Sequence, residues 1–166
     1  CALLGSSTTG NNTGSGNISI GDESGQCLTS GAYNIFFGRC SAKCISSGTG
    51  RQNIAIGQET AKNLTSGCYN IIFGCGAASA QSITGKYNVL FGHLAGCCLS
   101  TGGDNTVIGT CAAKRLTTGC KNVVIGDDPA KGGGGDFTGE YNVLAGNESG
   151  RFITSGLGNV AIGARA

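Results

Sequence analysis

The sequence predicts a tandem-repeat solenoid whose short strands form a parallel β ladder. The first observation is a motif of Asn, three residues rich in β-branched or aromatic types, and Gly, which occurs nine times at spacings of 17 to 20 residues. The second is the composition, with 32 glycines and one proline in 166 residues. Regular internal repeats of this length are typical of solenoids. The motif copies begin at Asn17, Asn34, Asn53, Asn70, Asn88, Asn105, Asn122, Asn142 and Asn159.

The first half of each repeat predicts a strand. The run N-I-A-I-G at 53–57 has β-branched residues closed by a glycine, which is typical of a short strand. Side chains alternate along a strand, so its second and fourth motif positions share one side. We expect the second positions to form one continuous inward ladder, in which only Thr106 carries a hydroxyl that needs a partner. This ladder contains Ile54, Ile71, Val89, Thr106 and Val123.

The third motif position points to the opposite side of the strand and is also apolar in eight of nine copies, Ser19 being the exception. Apolar residues on both faces are typical of parallel sheets that are covered on both sides. One cover would be the second half of each turn, and the other a neighbouring chain. The third positions are Ser19, Phe36, Ala55, Ile72, Leu90, Val107, Val124, Leu144 and Ala161.

The second half of each repeat has small residues three and four positions after the glycine and a large apolar residue at the seventh. Spacings of three, four and seven favour one face of a helix. Acids come early, as at Glu59, and bases later, as at Lys62, which suits a helix dipole. We therefore expect one or two helical turns per repeat. A plain β-turn in an all-β solenoid, or a trimeric β-roll, is the alternative.

Stacking explains how such short units fold. A unit of 17 residues cannot bury its own apolar stripe, but nine stacked turns share a continuous core. The asparagines would then form a ladder of amides bonded from turn to turn. We expect a single domain, with residues 1–16 as an N-terminal partial repeat and 17–166 as the repeat domain. The run K-G-G-G-G-D at 131–136 predicts a surface bulge.

The chemistry of the chain argues against an enzyme. His93 is the sole histidine, and the paired carboxylates Asp22–Glu23 and Asp127–Asp128 are better explained as caps than as general acid and base. We expect no cofactor and no metal site, since no C-x2-C pair occurs. The scattered net charge of +2 argues against a nucleic-acid partner, and no apolar run is long enough for a membrane span.

Ten cysteines without metal-site spacing predict disulfides in an oxidising, extracellular setting. Cys27 and Cys44 each lie six residues after a repeat glycine, so stacking would bring them within about 5 Å, a distance that a disulfide allows. Cys1 is a candidate for an intermolecular bridge or, alternatively, for a lipid anchor. The candidates are Cys1, Cys27, Cys40, Cys44, Cys68, Cys75, Cys97, Cys98, Cys111 and Cys120.

The pattern G-x-x-N-[IV]-x-[IVF]-G-x-x-A-[AG]-x-x-L-T-[ST]-G, which covers about residues 17 to 163, resembles repeats of phage tail-fibre proteins and of bacterial surface fibre proteins. More distantly, N-I-A-I-G is similar to the head repeats of trimeric autotransporter adhesins. The resemblance implies a trimeric or filamentous extracellular fibre without catalytic residues.

These observations predict a structural subunit of an extracellular or virion fibre that associates with itself as a homopolymer or a homotrimer and is cross-linked by disulfides. The alternative is an adhesive or receptor-binding shaft with a ligand on a cell surface. The expected location is extracellular, at the cell surface or on a virion.

The chain ends also predict head-to-tail joining of copies. The sequence stops three residues after the glycine at 163, inside a repeat. If the next copy continued the solenoid, Leu4 would take the large apolar position seven residues after that glycine. The residues expected at this joint are Leu3, Leu4, Val160, Ile162, Ala164 and Ala166.

Overall fold

The fold is a stack of ten short strands in one sheet, seen in a computed structural model that describes residues 2–4, 13–26, 28–43, 48–130 and 132–166. Every strand has three residues, and one 3-10 turn, Gly132–Gly134, interrupts the pattern. The strands are β1 Ala2–Leu4, β2 Ile18–Ile20, β3 Ile35–Phe37, β4 Ile54–Ile56, β5 Ile71–Phe73, β6 Val89–Phe91, β7 Thr106–Ile108, β8 Val123–Ile125, β9 Val143–Ala145 and β10 Val160–Ile162.

Each strand pairs in parallel with the next one along the chain, in register. Ile54 lies opposite Ile71, which in turn lies opposite Val89. The parallel solenoid predicted from the repeat is therefore confirmed. β1 adds a strand that the nine copies of the motif do not include, because residues 1–5 read C-A-L-L-G, a copy with cysteine in place of asparagine.

The core lies between the middle residue of each strand and the second half of each turn. Ile72 and Leu90 in the strands are fully buried, and Leu99 and Leu116 pack against them from the other side of the turn. Where a turn is longer, Ile83 and Phe137 take the same role. The large apolar residues of the second half therefore close the core, as the sequence predicts.

The expectation of an inward ladder at the first strand position is wrong. The register is as predicted, but Ile71 and Val123 are 37% and 36% exposed and face outward. The asparagine row decides the direction, because Asn70 is fully buried and strand side chains alternate. The residue two positions after each asparagine therefore points inward, and its neighbours point outward. Thr106 is accordingly only half-buried.

The preference for helical turns in the second half of each repeat is also wrong, and the all-β alternative holds. Glu59 and Ala61 have φ values of +54° and +49°, and the equivalent residues of other turns share this conformation. Their N–H groups donate to neighbouring turns, from Glu59 to the carbonyl of Arg39 and from Ala61 to that of Ala77, both at 2.9 Å. These backbone N–H groups thus form hydrogen bonds along the stack and not the hydrogen bonds to the fourth residue before them that define an α-helix.

The glycine that closes each strand has a conformation that side chains do not tolerate. Gly92 has φ of +135°, and a Cβ there would collide with the carbonyl of Gly109 in the next turn. The glycines at this position let the chain turn away from the strand while successive turns remain close together. The bulge predicted at 131–136 is at the surface, with residues 133–136 exposed; Lys131 lies outside the described residues.

Replacing Leu90 with alanine should lower the free energy of unfolding by about 2–5 kcal/mol, because the side chain is fully buried and leaves a cavity. The matched control is Leu157→Ala, whose side chain is 71% exposed and should change stability by well under about 1 kcal/mol. Urea denaturation followed by circular dichroism measures both. Equal losses in the two variants would contradict the placement of the core.

Candidate functional site

The asparagine ladder predicted from the repeat is confirmed from Asn17 to Asn159. Nδ2 of Asn70 donates to Oδ1 of Asn53 at 3.0 Å, and the backbone N–H of Asn70 donates to the same oxygen at 3.0 Å. Nδ2 also donates to the carbonyl of Gly85 in the following turn at 2.9 Å. Each interior amide therefore has its two donor hydrogens and its acceptor oxygen occupied, so the ladder is a structural element and offers nothing to a ligand.

The outward side chains of the strands form a surface that we call the outer face, made of the first and third residues of β2 to β10. It contains no charged residue, and Thr106 is its one polar side chain. Phe37 is 51% exposed and Ile125 41%. The rings of Phe73 and Phe91 stack with centroids 4.7 Å apart and planes at 7°. The outer face is thus flat, apolar and regular.

The outer face is too large for an ordinary exposed surface. Nine strands at about 4.8 Å spacing and side chains two residues apart give a patch about 40 Å long and 10 Å wide. Contiguous apolar patches on monomeric proteins rarely exceed a few hundred Å². The second half of each turn covers the opposite side of the sheet, so the outer face is the side that no described residue covers.

Polar and aromatic residues line the two long borders of the outer face. We call the one or two residues before each asparagine the first border, and the residue after each strand glycine the second border. On the first border the rings of Tyr69 and Tyr87 stack at 5.0 Å. Nζ of Lys121 donates to the hydroxyl of Tyr141 at 2.8 Å, and this bond raises the pKa of Lys121 above its ordinary value. The second border includes His93, which is exposed.

The predicted disulfide residues are only partly placed. Cys1, Cys27 and Cys44 lie outside the described residues, so the Cys27–Cys44 pair stays a prediction. Seven cysteines are described, and all have free thiols. Cys40 is buried, Cys75 is exposed, and Cys68, Cys97, Cys98, Cys111 and Cys120 are half-buried.

Two thiol environments differ from the rest. Sγ of Cys40 donates to Oε2 of Glu23 at 3.2 Å, and Nζ of Lys43 donates to the same oxygen at 2.7 Å. These bonds, that of Lys43 above all, hold the pKa of Glu23 below its ordinary value, while burial raises the pKa of Cys40. Burial and the adjacent thiol of Cys97 likewise raise the pKa of Cys98. Raised thiol pKa values mean less thiolate and slower reaction.

The residues predicted for head-to-tail joining lie at the two ends of the stack. Val160 and Ile162 are 69% and 70% exposed, and Ala164 and Ala166 are exposed as well. An open cavity of about 570 Å³ lies between β10 and the preceding turn. Leu3 and Leu4 belong to β1, opposite Ser19 and Ile20, whereas the predicted joint puts Leu4 in the second half of a turn. The joint itself stays a prediction.

The described residues contain no group of three or more His, Cys, Asp or Glu side chains able to hold a metal ion. No helix in the described part of the chain has the length and apolar character to cross a membrane.

No family model, curated protein or solved structure matches this chain. The geometry of the outer face and its borders is therefore the basis for a functional proposal.

Asn88→Leu should lower the free energy of unfolding by about 3 kcal/mol or more, because buried groups of Asn70, Gly102 and Asn105 lose four hydrogen bonds to the Asn88 side chain. The control is Asn147→Leu, at an exposed asparagine outside the ladder, which should be nearly neutral. Urea denaturation compares the two. A neutral Asn88 variant would show that the ladder adds nothing to stability.

Proposed function

We propose that this protein is a structural subunit of a fibre or filament, which associates with further copies of itself through the outer face. The observation that carries the proposal is the size and character of this face: nine strands long, uncharged and exposed. A surface of this kind marks an interaction site rather than a solvated face.

A second copy is the occupant that the outer face fits best. The first and the third strand residues form two rows on this face, and both rows repeat at the strand spacing. An identical face therefore has a matching period, and two sheets pack face to face at about 10 Å. Without charges, the face meets itself without repulsion. Its side chains expose on the order of 1,000 Å², comparable with the roughly 800 Å² that each partner contributes to a standard interface. A homotrimer would bring three outer faces together about one axis along the stack, and a longer homopolymer would also need the predicted head-to-tail contact at the ends of the stack.

The proposed location is outside the cell or on a virion surface, and the proposed role is mechanical rather than catalytic. Ten cysteines are more than a reducing compartment usually tolerates unless they bind metal, and the described residues contain no group able to hold a metal ion. The exposed thiol of Cys75 and the half-exposed thiols are accessible for cross-linking. The resemblance of the repeat to phage and bacterial fibre repeats supports the same role.

The second candidate function is an adhesive or receptor-binding shaft, favoured by the exposed tyrosines of the first border. Tyr33 is 63% exposed and Tyr87 54%. Exposed aromatic side chains that stack are suited to binding a ligand on a cell surface. Negative-stain microscopy separates the two candidates, since long uniform threads support the filament and short discrete rods support the shaft.

Lysines placed on the outer face should prevent self-association without unfolding the chain. The variant Val123→Lys with Ile125→Lys puts two charges at half-exposed positions, where desolvating them on association is costly. The control is Thr84→Lys with Ser66→Lys, at exposed positions outside the strands. Light scattering after size exclusion, in reducing buffer, should give a monomer for the first variant and the parental oligomer for the control. A monomeric parent protein would refute the proposed self-association.

A further inference from the structure

The cysteines of the turn that contains β5 stand at the two borders of the outer face. Cys68 lies three residues before the strand, on the first border, and Cys75 lies two residues after it, on the second. Cys75 is exposed and Cys68 is half-buried, and Sγ of Cys68 donates to the carbonyl of Ser66 at 3.3 Å in an exposed hydrogen bond. No other turn has a cysteine at both borders.

Neither thiol can reach another of the seven described cysteines in its own chain. The strand Ile71–Phe73, which is about 10 Å long, lies between Cys68 and Cys75, so their Cα atoms are farther apart than the roughly 7 Å that a disulfide allows. In the adjoining turns, Cys68 stacks between Arg51 and Lys86. The nearest cysteine on the same border is Cys120, three turns away at about 14 Å.

Cys75 is equally isolated along the stack. Its backbone neighbours on the second border are Gln58 and His93. Cys111, two turns further along, is about 10 Å away, beyond the reach of a disulfide. Among the cysteines that the structure describes, a partner for either thiol must therefore come from another chain.

We propose that Cys68 of one copy and Cys75 of the next form an intermolecular disulfide, which links the first border of one outer face to the second border of its neighbour. This inference rests on the proposed self-association. It requires copies that run parallel and in register about an axis along the stack, because both cysteines belong to the same turn and must meet at the same height.

Two other turns carry complementary groups at the same two borders. In the turn of β8 the first border has Lys121 and the second has Asp127, which would form an ion pair between copies. In the turn of β3 the first border has the exposed Tyr33 and the second has Arg39, a cation–π pair. An antiparallel arrangement would instead bring like borders together. The border sequences thus favour the arrangement that the disulfide requires.

Formation of the Cys68–Cys75 disulfide from two thiols needs an oxidant, and a small-molecule disulfide such as oxidised glutathione can supply it. The thiolate of the exposed Cys75 attacks oxidised glutathione, which forms a mixed disulfide and releases one glutathione thiol. The thiolate of Cys68 in the neighbouring copy then attacks the Cys75 sulfur. This step forms the Cys68–Cys75 bond and releases the second glutathione thiol.

The test uses the full chain in a buffer of oxidised and reduced glutathione, with chymotryptic peptides identified by mass spectrometry. Cleavage at Tyr69 and Phe73 separates the two cysteines, so a Cys68–Cys75 peptide reports the link. We expect this peptide and a cross-linked band on a non-reducing gel from the parent chain. The control Cys120→Ser, at the matching border position of another turn, should retain both.

Mixing two variants tests the pairing itself. Cys68→Ser alone and Cys75→Ser alone should each lose the linked peptide, and an equimolar mixture should restore it, because each variant supplies the thiol that the other lacks. Cys68–Cys68 or Cys75–Cys75 peptides would overturn the parallel arrangement. An oligomer in reducing buffer that yields no linked peptide on oxidation would refute the cross-link alone, whereas a monomer would refute the proposed function as well.

Discussion

The buried asparagine ladder is the constraint on which the rest of this structure depends. Each amide receives two hydrogen bonds from the following asparagine and donates to the preceding asparagine and the following turn, as at Asn70. A buried amide without such partners costs free energy, so the turns can stack only where every asparagine lies directly over the next. The ladder therefore sets the strand register, and the alternation of strand side chains then sets which residues form the core.

The second half of each turn shows how the stack dictates local conformation. Left-handed φ is unfavourable for residues such as Glu59 and Ala61, by roughly 1–2 kcal/mol each. The structure retains it because the N–H groups of these residues find acceptors in neighbouring turns. Hydrogen bonding along the stack thus outweighs the preference of the isolated segment for a helix.

The sequence was sufficient to predict the repeat, the parallel register and the asparagine ladder, because each follows from the period alone. It could not decide which side of the strand faces inward, because Ile71 and Ile72 are equally apolar and only the buried state of Asn70 distinguishes them. The helical turn was predicted wrongly because inward positions of a tight turn can have helix-like spacing. The strand Ala2–Leu4 was not predicted, since cysteine replaces the asparagine that identifies the motif. The outer face was visible only as an excess of apolar residues.

The differences in turn length have a consequence for how such a chain can change over generations. The extra residues of longer turns, such as those around Gly133, fall in the second half, while the segment from asparagine to glycine keeps a constant length. Deleting or duplicating the chain from one asparagine to the next would therefore leave every remaining bond type intact, since each turn contacts only its neighbours. Recombination between repeats could then lengthen or shorten the rod by whole turns, and the contacts between neighbouring turns would stay the same.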